Sequence, residues 1–302
     1  MHWKVEVIIP VYRDPEGLEG CLSNLAKQDE PAFRVWVCVD GRVGSMIEVV
    51  KAYRHRLSAI QLLHHPGESH CGRAATRNLA LPYVTAPITL FLDADLRPLP
   101  DWVRRHWELA CQQPHTAAVG HLCYVNHRDN LWADLYNRKL KRRRHLMVLP
   151  SYQFTTGNAM VRTEWWQSVG GFDPTFREYG AEDADLMVRI ARHYPVTVRY
   201  HRWAVTVGQM RKSPDTVLAE RIEMGATTLR RFIAKHPQEG NYFRCRRFDS
   251  WLFRVLFSAP IRQGMHRLMD DARWPRAWRR WALDYLTVAA LYQGWRDSAN
   301  SS

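Results

Sequence analysis

The chain has 302 residues, of which 46% are hydrophobic and 24% are charged, and its formal net charge is +13. This composition excludes disorder throughout and allows one large domain, or one domain with an appendage. The positive charge favours a polyanionic partner, and the candidates are nucleic acid, an anionic membrane and a phosphorylated substrate.

The first 95 residues have the pattern of strands alternating with helices. Buried strands are predicted at residues 5–11, 33–39 and 60–63 and in the apolar run that ends at Asp93. Asp14 and Pro15 are typical of a helix cap followed by proline at the first helical position. Ser45 and Glu48 have the spacing of a capping box, and a third helix is expected at 73–80. This order predicts a parallel sheet with helices on both faces.

After residue 95 the regular alternation ends. Helices are predicted from about 99 to 112, from 163 to 170 and from 182 onward, and extended segments at 117–125, 154–161 and 196–200. A run of basic residues occupies 138–144. Residues 214–302 have a helical pattern and are rich in arginine and tryptophan.

Two aspartates, Asp93 and Asp95, stand at the end of the fourth predicted strand. Ligands of such sheets bind at the carboxyl ends of the strands, where Tyr12 and Asp40 follow the first two strands, so Tyr12, Asp40 and Asp93 are expected to converge on one crevice. Adjacent carboxylates repel each other unless a cation joins them, and oxygen ligands suit Mg²⁺ or Mn²⁺. An Asp-x-Asp segment alone is also common as a turn or cap, so a metal site depends on the neighbouring motifs.

Taken together, the motifs resemble those of family 2 glycosyltransferases. The resemblance covers about residues 4–210 and depends on the order of residues 7–12, 39–41, 72–78, 91–95, 156–158, 170–173 and 180–189. It implies an α/β protein with a GT-A-type, Rossmann-like and mostly parallel sheet that has helices on both faces. It also implies an inverting enzyme that moves a sugar from a nucleotide-diphosphate sugar to an acceptor hydroxyl in glycan, polysaccharide or glycolipid synthesis.

For the donor side, the resemblance implies a base pocket and a phosphate contact. The base pocket would consist of Pro10, Val11, Tyr12 and Asp40. Asp40 would accept a hydrogen bond from a ring N–H, although a turn with Gly41 would also explain it. Arg77 is expected beside the donor phosphates, and Arg73 is a second candidate for that contact. A UDP-sugar is the favoured donor.

For the reaction itself, the resemblance implies a metal and a general base. Asp93 and Asp95 would lie where sugar, ribose and metal meet, with Asp95 the more direct ligand of Mn²⁺ or Mg²⁺. The metal would neutralise the leaving diphosphate. Asp183 matches the base that removes the acceptor proton, and Glu182 would hold the acceptor or tune its neighbour. Acidic capping of a helix would also explain Glu182 and Asp183.

The chain departs from the family pattern in one place. Many relatives carry a further metal-binding histidine after the strand that follows the acidic helix, but residues 205–209 contain none. His201 lies earlier and is a candidate third ligand, with a structural role as the alternative. The departure predicts a metal held mainly by the aspartates and the donor phosphates.

Two other functions were weighed against this one. A sugar-phosphate nucleotidyltransferase is expected to have a glycine-rich N-terminal loop, which residues 8–17 lack, and it would leave Glu182 and Asp183 without a role. A nucleic-acid-binding protein is expected to alternate aromatic and basic residues on an exposed sheet, whereas the basic clusters here are at 138–144 and in the C-terminal helices. No nucleic-acid partner is therefore expected.

The predicted organisation is a catalytic domain followed by a helical region. The domain would span 1–212, with a donor half of about 1–97 and an acceptor half of about 98–212, and the helical region would span 213–302. Tryptophans and arginines alternate near residues 273–281, which fits either a cap on the domain or a surface that lies on an anionic membrane. The basic segments favour a glycan or lipid-linked acceptor.

The expected location is the cytoplasm, with peripheral attachment to the cytoplasmic face of the membrane. Six cysteines are scattered without a Cys-x-x-Cys pair, which argues against a zinc site or a disulfide framework and fits reduced thiols. Residues 1–4 lead directly into the first strand, so no targeting signal is predicted, and no apolar stretch is long enough to span a bilayer.

Overall fold

The computed structural model describes residues 3–57, 59–239, 245 and 247–299, and these form two compact units. The first unit consists of Met1–Cys123, Leu140–Arg177 and Glu182–Gln209. The second consists of Tyr124–Lys139, Glu178–Ala181 and Met210–Ser302. The second unit thus includes two short segments from within the range 1–212, which the sequence assigns to a single domain.

The first unit is built on one mixed sheet. Its strands in the described residues are β1 (Val5–Val11), β2 (Phe33–Val39), β3 (Ile60–His64), β4 (Ile88–Leu92), β5 (Leu96–Pro98), β6 (Thr116–Tyr124), β7 (Val148–Leu149), β8 (Asn158–Arg162) and β9 (Thr197–Gly208). Their order is β3-β2-β1-β4-β8-β6-β9-β5, and β7 pairs with β9. The strands β3, β2, β1 and β4 are parallel, as predicted, whereas β8 is antiparallel to β4 and β6, and β5 is antiparallel to β9. The sheet is therefore mixed rather than purely parallel.

Helices follow most of the strands. In chain order they are α1 (Pro15–Leu25), α2 (Gly44–Tyr53), α3 (Arg73–Asn78), α4 (Trp102–Gln112), α5 (Leu131–Lys141), α6 (Thr163–Ser168), α7 (Glu182–His193), α8 (Pro214–Ala226), α9 (Thr228–Lys235), α10 (Trp251–Leu256), α11 (Ala259–Asp270) and α12 (Arg276–Ala299). Short 3₁₀ turns occupy Pro66–Glu68, Ser151–Gln153 and Pro237–Glu239. Among the described residues no helix has both the length and the apolar content to cross a membrane.

The start of α1 is confirmed and the start of α2 is corrected. The Asp14 side chain accepts a hydrogen bond from the Gly17 N–H at 2.9 Å, and Pro15 opens the helix. The predicted capping box at Ser45 is wrong, because the cap is Val43, two residues earlier, and it makes no side-chain cap bond. Val43 is buried in the core, so packing rather than capping determines where this helix begins.

A polar centre lies inside the sheet of the first unit. Asn158, at the start of β8, accepts hydrogen bonds from Trp102 Nε1 at 2.9 Å and from His106 Nε2 at 3.1 Å, and it donates to the Ala204 carbonyl at 2.9 Å. These bonds join α4, β8 and β9. Burial lowers the pKa of His106 to about 3, so this buried histidine is neutral in the folded protein.

The second unit is helical. Its core contains residues from α5, α8, α11 and α12, which are Leu131, Leu135, Leu218, Met269, Ala282, Leu283, Leu286 and Ala290. Two glycines allow α8 and α12 to pack closely. A Cβ on Gly225 would overlap the Leu291 carbonyl, and one on Gly294 would overlap the Ile222 carbonyl.

Candidate active site

Three of the predicted site residues directly follow parallel strands of the sheet. Tyr12 follows β1, Asp40 follows β2 and Asp93 follows β4, and because β1 pairs with both other strands in parallel, all three lie at one edge. Val11 is buried at the end of β1, and Pro10 beside it is partly buried. The Tyr12 side chain is exposed, so its ring is available to a ligand.

The Asp40 carboxylate contacts the loop that precedes α3. It accepts hydrogen bonds from the Cys71 N–H at 2.8 Å and from the Gly72 N–H at 3.1 Å. His70 Nδ1 lies 2.8 Å from Asp40 Oδ2, and the His70 ring lies against the Tyr12 ring with centroids 4.7 Å apart. Since a carboxylate offers about four acceptor positions, three of those on Asp40 are already used. His70 was not predicted, and nothing in its local sequence marks it.

Arg77 lies among carboxylates rather than beside an open phosphate position. Its guanidinium is buried and lies 3.2 Å from Asp93 Oδ1, 3.4 Å from Glu182 Oε1 and 3.9 Å from Asp183 Oδ1. The phosphate contact expected for Arg77 stays a prediction beside these carboxylate contacts. Arg73, one turn earlier at the start of α3, is exposed and is the better placed of the two for a phosphate.

The antiparallel strand β8 joins the two halves of the site. Leu92 of β4 pairs with Asn158 of β8, so the residue after Leu92 meets the residues before Asn158. The Asp93 N–H donates to the Gly157 carbonyl at 3.0 Å. A Cβ on Gly157 would stand 3.0 Å from Asp93 Oδ2, so a larger residue here would push against that carboxylate.

Thr156 holds Asp183 from the other side of Gly157. The Thr156 N–H donates to one carboxylate oxygen at 3.0 Å, and its hydroxyl donates to the other at 2.6 Å. The sequence motif at 156–158 is part of the family resemblance, but this role of Thr156 depends on a contact across 27 residues that spacing does not reveal. Asp93 and Asp183 are thus linked through two consecutive residues.

The two acids at the start of α7 have different environments. The Glu182 carboxyl is buried, and burial together with the neighbouring Asp183 charge raises its pKa, although Arg77 and Arg73 act in the opposite direction. The Asp183 side chain is 20% exposed, so a substrate can reach it. One carboxyl that tends to keep its proton therefore stands beside one that is accessible, which is an arrangement suited to proton transfer.

The aspartate pair suits a divalent cation. Asp95 is exposed and the Asp93 side chain is 43% exposed. Magnesium is commonly bound through one or two carboxylates with the remaining ligands supplied by substrate phosphates. Across the described part of the chain, no group of three or more His, Cys, Asp or Glu side chains is arranged to hold a metal. The residues present therefore fit a metal that shares its coordination with a phosphorylated ligand.

The structure does not bring His201 to the aspartate pair. Its Nε2 lies 3.0 Å from the Arg105 carbonyl, and its ring lies 5.4 Å from that of His106. In β9 the residue opposite Leu96 is Gly208, seven residues beyond His201 and about 23 Å along the strand at about 3.3 Å per residue. This places His201 in the buried polar centre, as the structural alternative predicts, and burial lowers its pKa to about 4.

The same register points to one more polar residue, which directly follows β9. Because β5 and β9 are antiparallel with Leu96 opposite Gly208, Gln209 comes next in register on the side of Asp95. Gln209 is exposed, and its side-chain amide oxygen is a hard ligand of the kind that Mg²⁺ and Ca²⁺ accept.

Comparisons with known proteins agree with these observations. A family model described as glycosyl transferase family 2 matches residues 6–170, and one described as the N-terminal domain of galactosyltransferase matches residues 139–212. The chain is 28% identical over 92 residues to the uncharacterized glycosyltransferase YibD of Escherichia coli, and the alignment covers 30% of this chain and 26% of that protein. It is 25% identical over 267 residues to validoxylamine A glucosyltransferase of Streptomyces hygroscopicus, and the alignment covers 77% of this chain and 61% of that protein. The matched region is thus less than two thirds of either relative's length.

Solved structures share the fold. The S. aureus TarS 1–349 complex with UDP-GlcNAc matches with a TM-score of 0.58 at 16% identity, covering 99% of this chain and 91% of that one. The mannosyltransferase PcManGT from Pyrobaculum calidifontis, in complex with GDP-Man and Mn²⁺, matches with a TM-score of 0.61 at 18% identity, covering 98% and 88%. The family match extends over more than half of the chain and overlaps every strand of the sheet except β9. The chain belongs to glycosyl transferase family 2 and has the GT-A fold.

Proposed function

We propose that this protein is an inverting, metal-dependent glycosyltransferase that moves a sugar from a nucleotide-diphosphate sugar to an acceptor hydroxyl. The observation that carries the proposal is the link between Asp93 and Asp183 through Gly157 and Thr156. An inverting transfer needs a stabiliser of the leaving group on one side of the sugar and a base on the other. Asp93 and Asp183 provide carboxylates for both sides within one rigid arrangement.

The donor side would bind the nucleotide at the ends of β1 and β2. Tyr12 offers an exposed ring for stacking, and Asp40 offers an acceptor for a base N–H once His70 moves away from Oδ2. The structural neighbours in complex with UDP-GlcNAc and GDP-Man support a nucleotide sugar as the donor class. A UDP-sugar is the form we favour, and exposed Arg73 is our candidate for the phosphate contact.

Asp93 and Asp95 would hold the metal, with the Gln209 amide oxygen as a third candidate ligand. When bound, Mn²⁺ or Mg²⁺ would neutralise charge on the diphosphate as it leaves. Arg77 would keep Asp93 and Glu182 in place through its contacts with both carboxyl groups. Carboxylates outnumber the guanidinium here, and the remaining negative charge favours a cation.

Asp183 would take the proton from the acceptor hydroxyl. Both of its oxygens are oriented by Thr156, which holds the carboxylate in one rotamer before the acceptor arrives. Glu182, buried and inclined to stay protonated, would keep a second full negative charge from forming beside Asp183. We propose a glycan or lipid-linked molecule as the acceptor.

Donor binding provides the first test of the proposed function. Thermal denaturation would be measured with UDP-, GDP- and dTDP-sugars, each with and without Mn²⁺. We expect stabilisation by one nucleotide class that depends on the metal, because a ligand that binds only the folded state raises the melting temperature. The variant Asp95→Asn should lose the metal-dependent part of the shift, and Asp215→Asn, which removes a charge from α8, should keep it. The proposal would be contradicted if none of the three nucleotide classes gave a metal-dependent shift of the melting temperature.

A further inference from the structure

A basic cavity lies in the second unit, and none of its lining residues is assigned to sugar transfer. It has a volume of about 290 Å³ and is lined by His127, Arg128, Asp134, Arg138, Arg276 and Arg280. Helix α5 supplies Asp134 and Arg138, and the first turns of α12 supply Arg276 and Arg280. None of these side chains has a role in the proposed reaction.

Asp134 fixes two of the guanidinium groups. Arg276 Nε and Arg280 Nη1 each lie 2.7 Å from Asp134 Oδ2, and the Asp134 side chain is only 12% exposed. Burial opposes ionisation of this carboxyl, but the two guanidinium groups lower its pKa below the ordinary value. Arg276 also donates to the carbonyls of Arg128 and His127. The cavity wall is therefore held in place before any ligand binds.

Positive charge remains after these pairs are counted. Four arginines face one aspartate, so the cavity has a formal charge of +3 with His127 neutral. Arg138 Nε is 3.9 Å from Asp134 with a side chain that is 58% exposed, and Arg128 is exposed as well. Guanidinium groups bind phosphate through paired N–H···O bonds, and an anion placed here would meet several of them. The charge and the volume fit a phosphate group that is attached to a larger molecule.

The same end of α12 exposes tryptophan. Trp274, Trp278 and Trp281 are 50%, 55% and 54% exposed, and Trp251 at the start of α10 is 73% exposed. Soluble surfaces seldom leave several large aromatic rings in water. Tryptophan combined with arginine is typical of helices that lie at the interface of an anionic bilayer.

We propose that this cavity binds the phosphate of an anionic membrane lipid, with the exposed tryptophans of α12 entering the interface beside it. Arg128 and Arg138 would contact the phosphate directly, and Arg276 and Arg280, braced by Asp134, would form the wall behind it. Lipid binding of this kind goes beyond the transfer reaction and needs neither donor nor metal.

Flotation with vesicles tests the proposal. The full chain would be mixed with phosphatidylcholine vesicles that contain or lack phosphatidate. We expect binding only with phosphatidate. The double variant Arg128→Gln/Arg138→Gln should weaken it by roughly 30-fold, because each basic residue near an anionic surface contributes a factor of about five. It leaves the Asp134 brace intact, so it should fold. The matched control, Lys51→Gln/Arg54→Gln, removes two exposed charges from α2 of the first unit and should bind like the unmodified protein.

Each other outcome overturns the proposal. Equal binding to both vesicle types would mean attachment through tryptophan alone. Equal loss in the control variant would mean attraction by net charge rather than by the cavity. Binding of inorganic pyrophosphate in calorimetry that depends on Arg128 and Arg138, without any vesicle binding, would assign the cavity to a soluble phosphate compound. Metal-dependent thermal shifts with nucleotide sugars, measured separately, show whether the proposed transferase function stands whatever the vesicles show.

Discussion

The two units arrange charge in opposite ways around a single central counter-ion. In the first unit the carboxylates of Asp93, Glu182 and Asp183 surround the buried guanidinium of Arg77. In the second unit Arg138, Arg276 and Arg280 surround the carboxylate of Asp134. One central ion cannot neutralise two or more neighbours of the opposite charge, so each cluster keeps an excess of charge even when Glu182 is protonated. An excess of carboxylates favours a cation, and an excess of guanidinium groups favours an anion.

The largest expected effect is the loss of transfer rate when Asp183, the proposed base of the first cluster, is replaced. Asp183→Asn removes the proposed base but keeps the shape and the hydrogen bond to Thr156, so we expect transfer to slow by roughly 10²–10⁴-fold. Donor affinity should stay within about twofold, since the metal and base pocket are untouched. Rates of nucleotide release with acceptor and calorimetric donor titration measure the two quantities. Lost donor binding at an unchanged turnover rate would reverse the assignment.

Replacing the central ion of a cluster should lower the unfolding free energy more for Arg77 in the first unit than for Asp134 in the second. Arg77→Met removes the buried guanidinium that lies beside the carboxylates of Asp93 and Asp183, and leaving such charges uncompensated costs about 3–5 kcal/mol of unfolding free energy. Asp134→Asn should cost less, about 1–3 kcal/mol, because Arg276 is 39% exposed and water can solvate it. Urea denaturation compares the two variants. Equal losses of unfolding free energy in the two variants would contradict the expectation that the more buried cluster depends more on its central ion.

Acid should weaken the first unit selectively through its buried histidines. Folding holds His106 and His201 neutral with pKa values of about 3 and 4, whereas the unfolded chain protonates histidine near pH 6.5. The unfolded state therefore binds more protons below about pH 6.5, so stability is fully present above that pH and is lost as the pH falls towards 4. At about pH 5 the loss is about 2 kcal/mol for each histidine.

Hydrogen exchange at neutral and acidic pH measures where this loss occurs. Protection should fall in α4 and β9, which contain His106 and His201, while α8 and α12 keep theirs. The variant His106→Gln should make the first unit less sensitive to acid, and replacing exposed His127 should change nothing. Loss of protection of the same size in both units would show that acid acts through general charge repulsion.

The smallest expected effect concerns the base pocket. His70 lies against Tyr12 and 2.8 Å from Asp40, in the contacts that a base would use. His70→Ala should therefore tighten nucleotide binding by about threefold to tenfold, since the ligand no longer displaces a side chain. Calorimetric titration with nucleotide diphosphate measures the change, and His64→Ala on β3 is the matched control. Weaker binding would instead make His70 a contact of the nucleotide.

Local pattern in the sequence determined the parallel half of the sheet and the position of its acids. The apolar runs predicted β1, β2 and β4 nearly to the residue, because a buried strand needs continuous apolar side chains. A carboxylate that follows such a run stands at the sheet edge by geometry alone, which placed Asp40 and Asp93. The cap at Asp14 is likewise a local hydrogen bond, and it was predictable for the same reason.

Only the tertiary structure decided how these pieces meet. The antiparallel pairing of β4 with β8 joins segments about 70 residues apart, and nothing local in either strand specifies its direction. That pairing places Thr156 against Asp183 and Asp93 beside Arg77. The register of β9 likewise buries His201 and places Gln209 on the side of Asp95. The sequence thus determined which residue types are available for chemistry, whereas long-range strand pairing determined which of them share a site, because burial of the whole sheet selects one register.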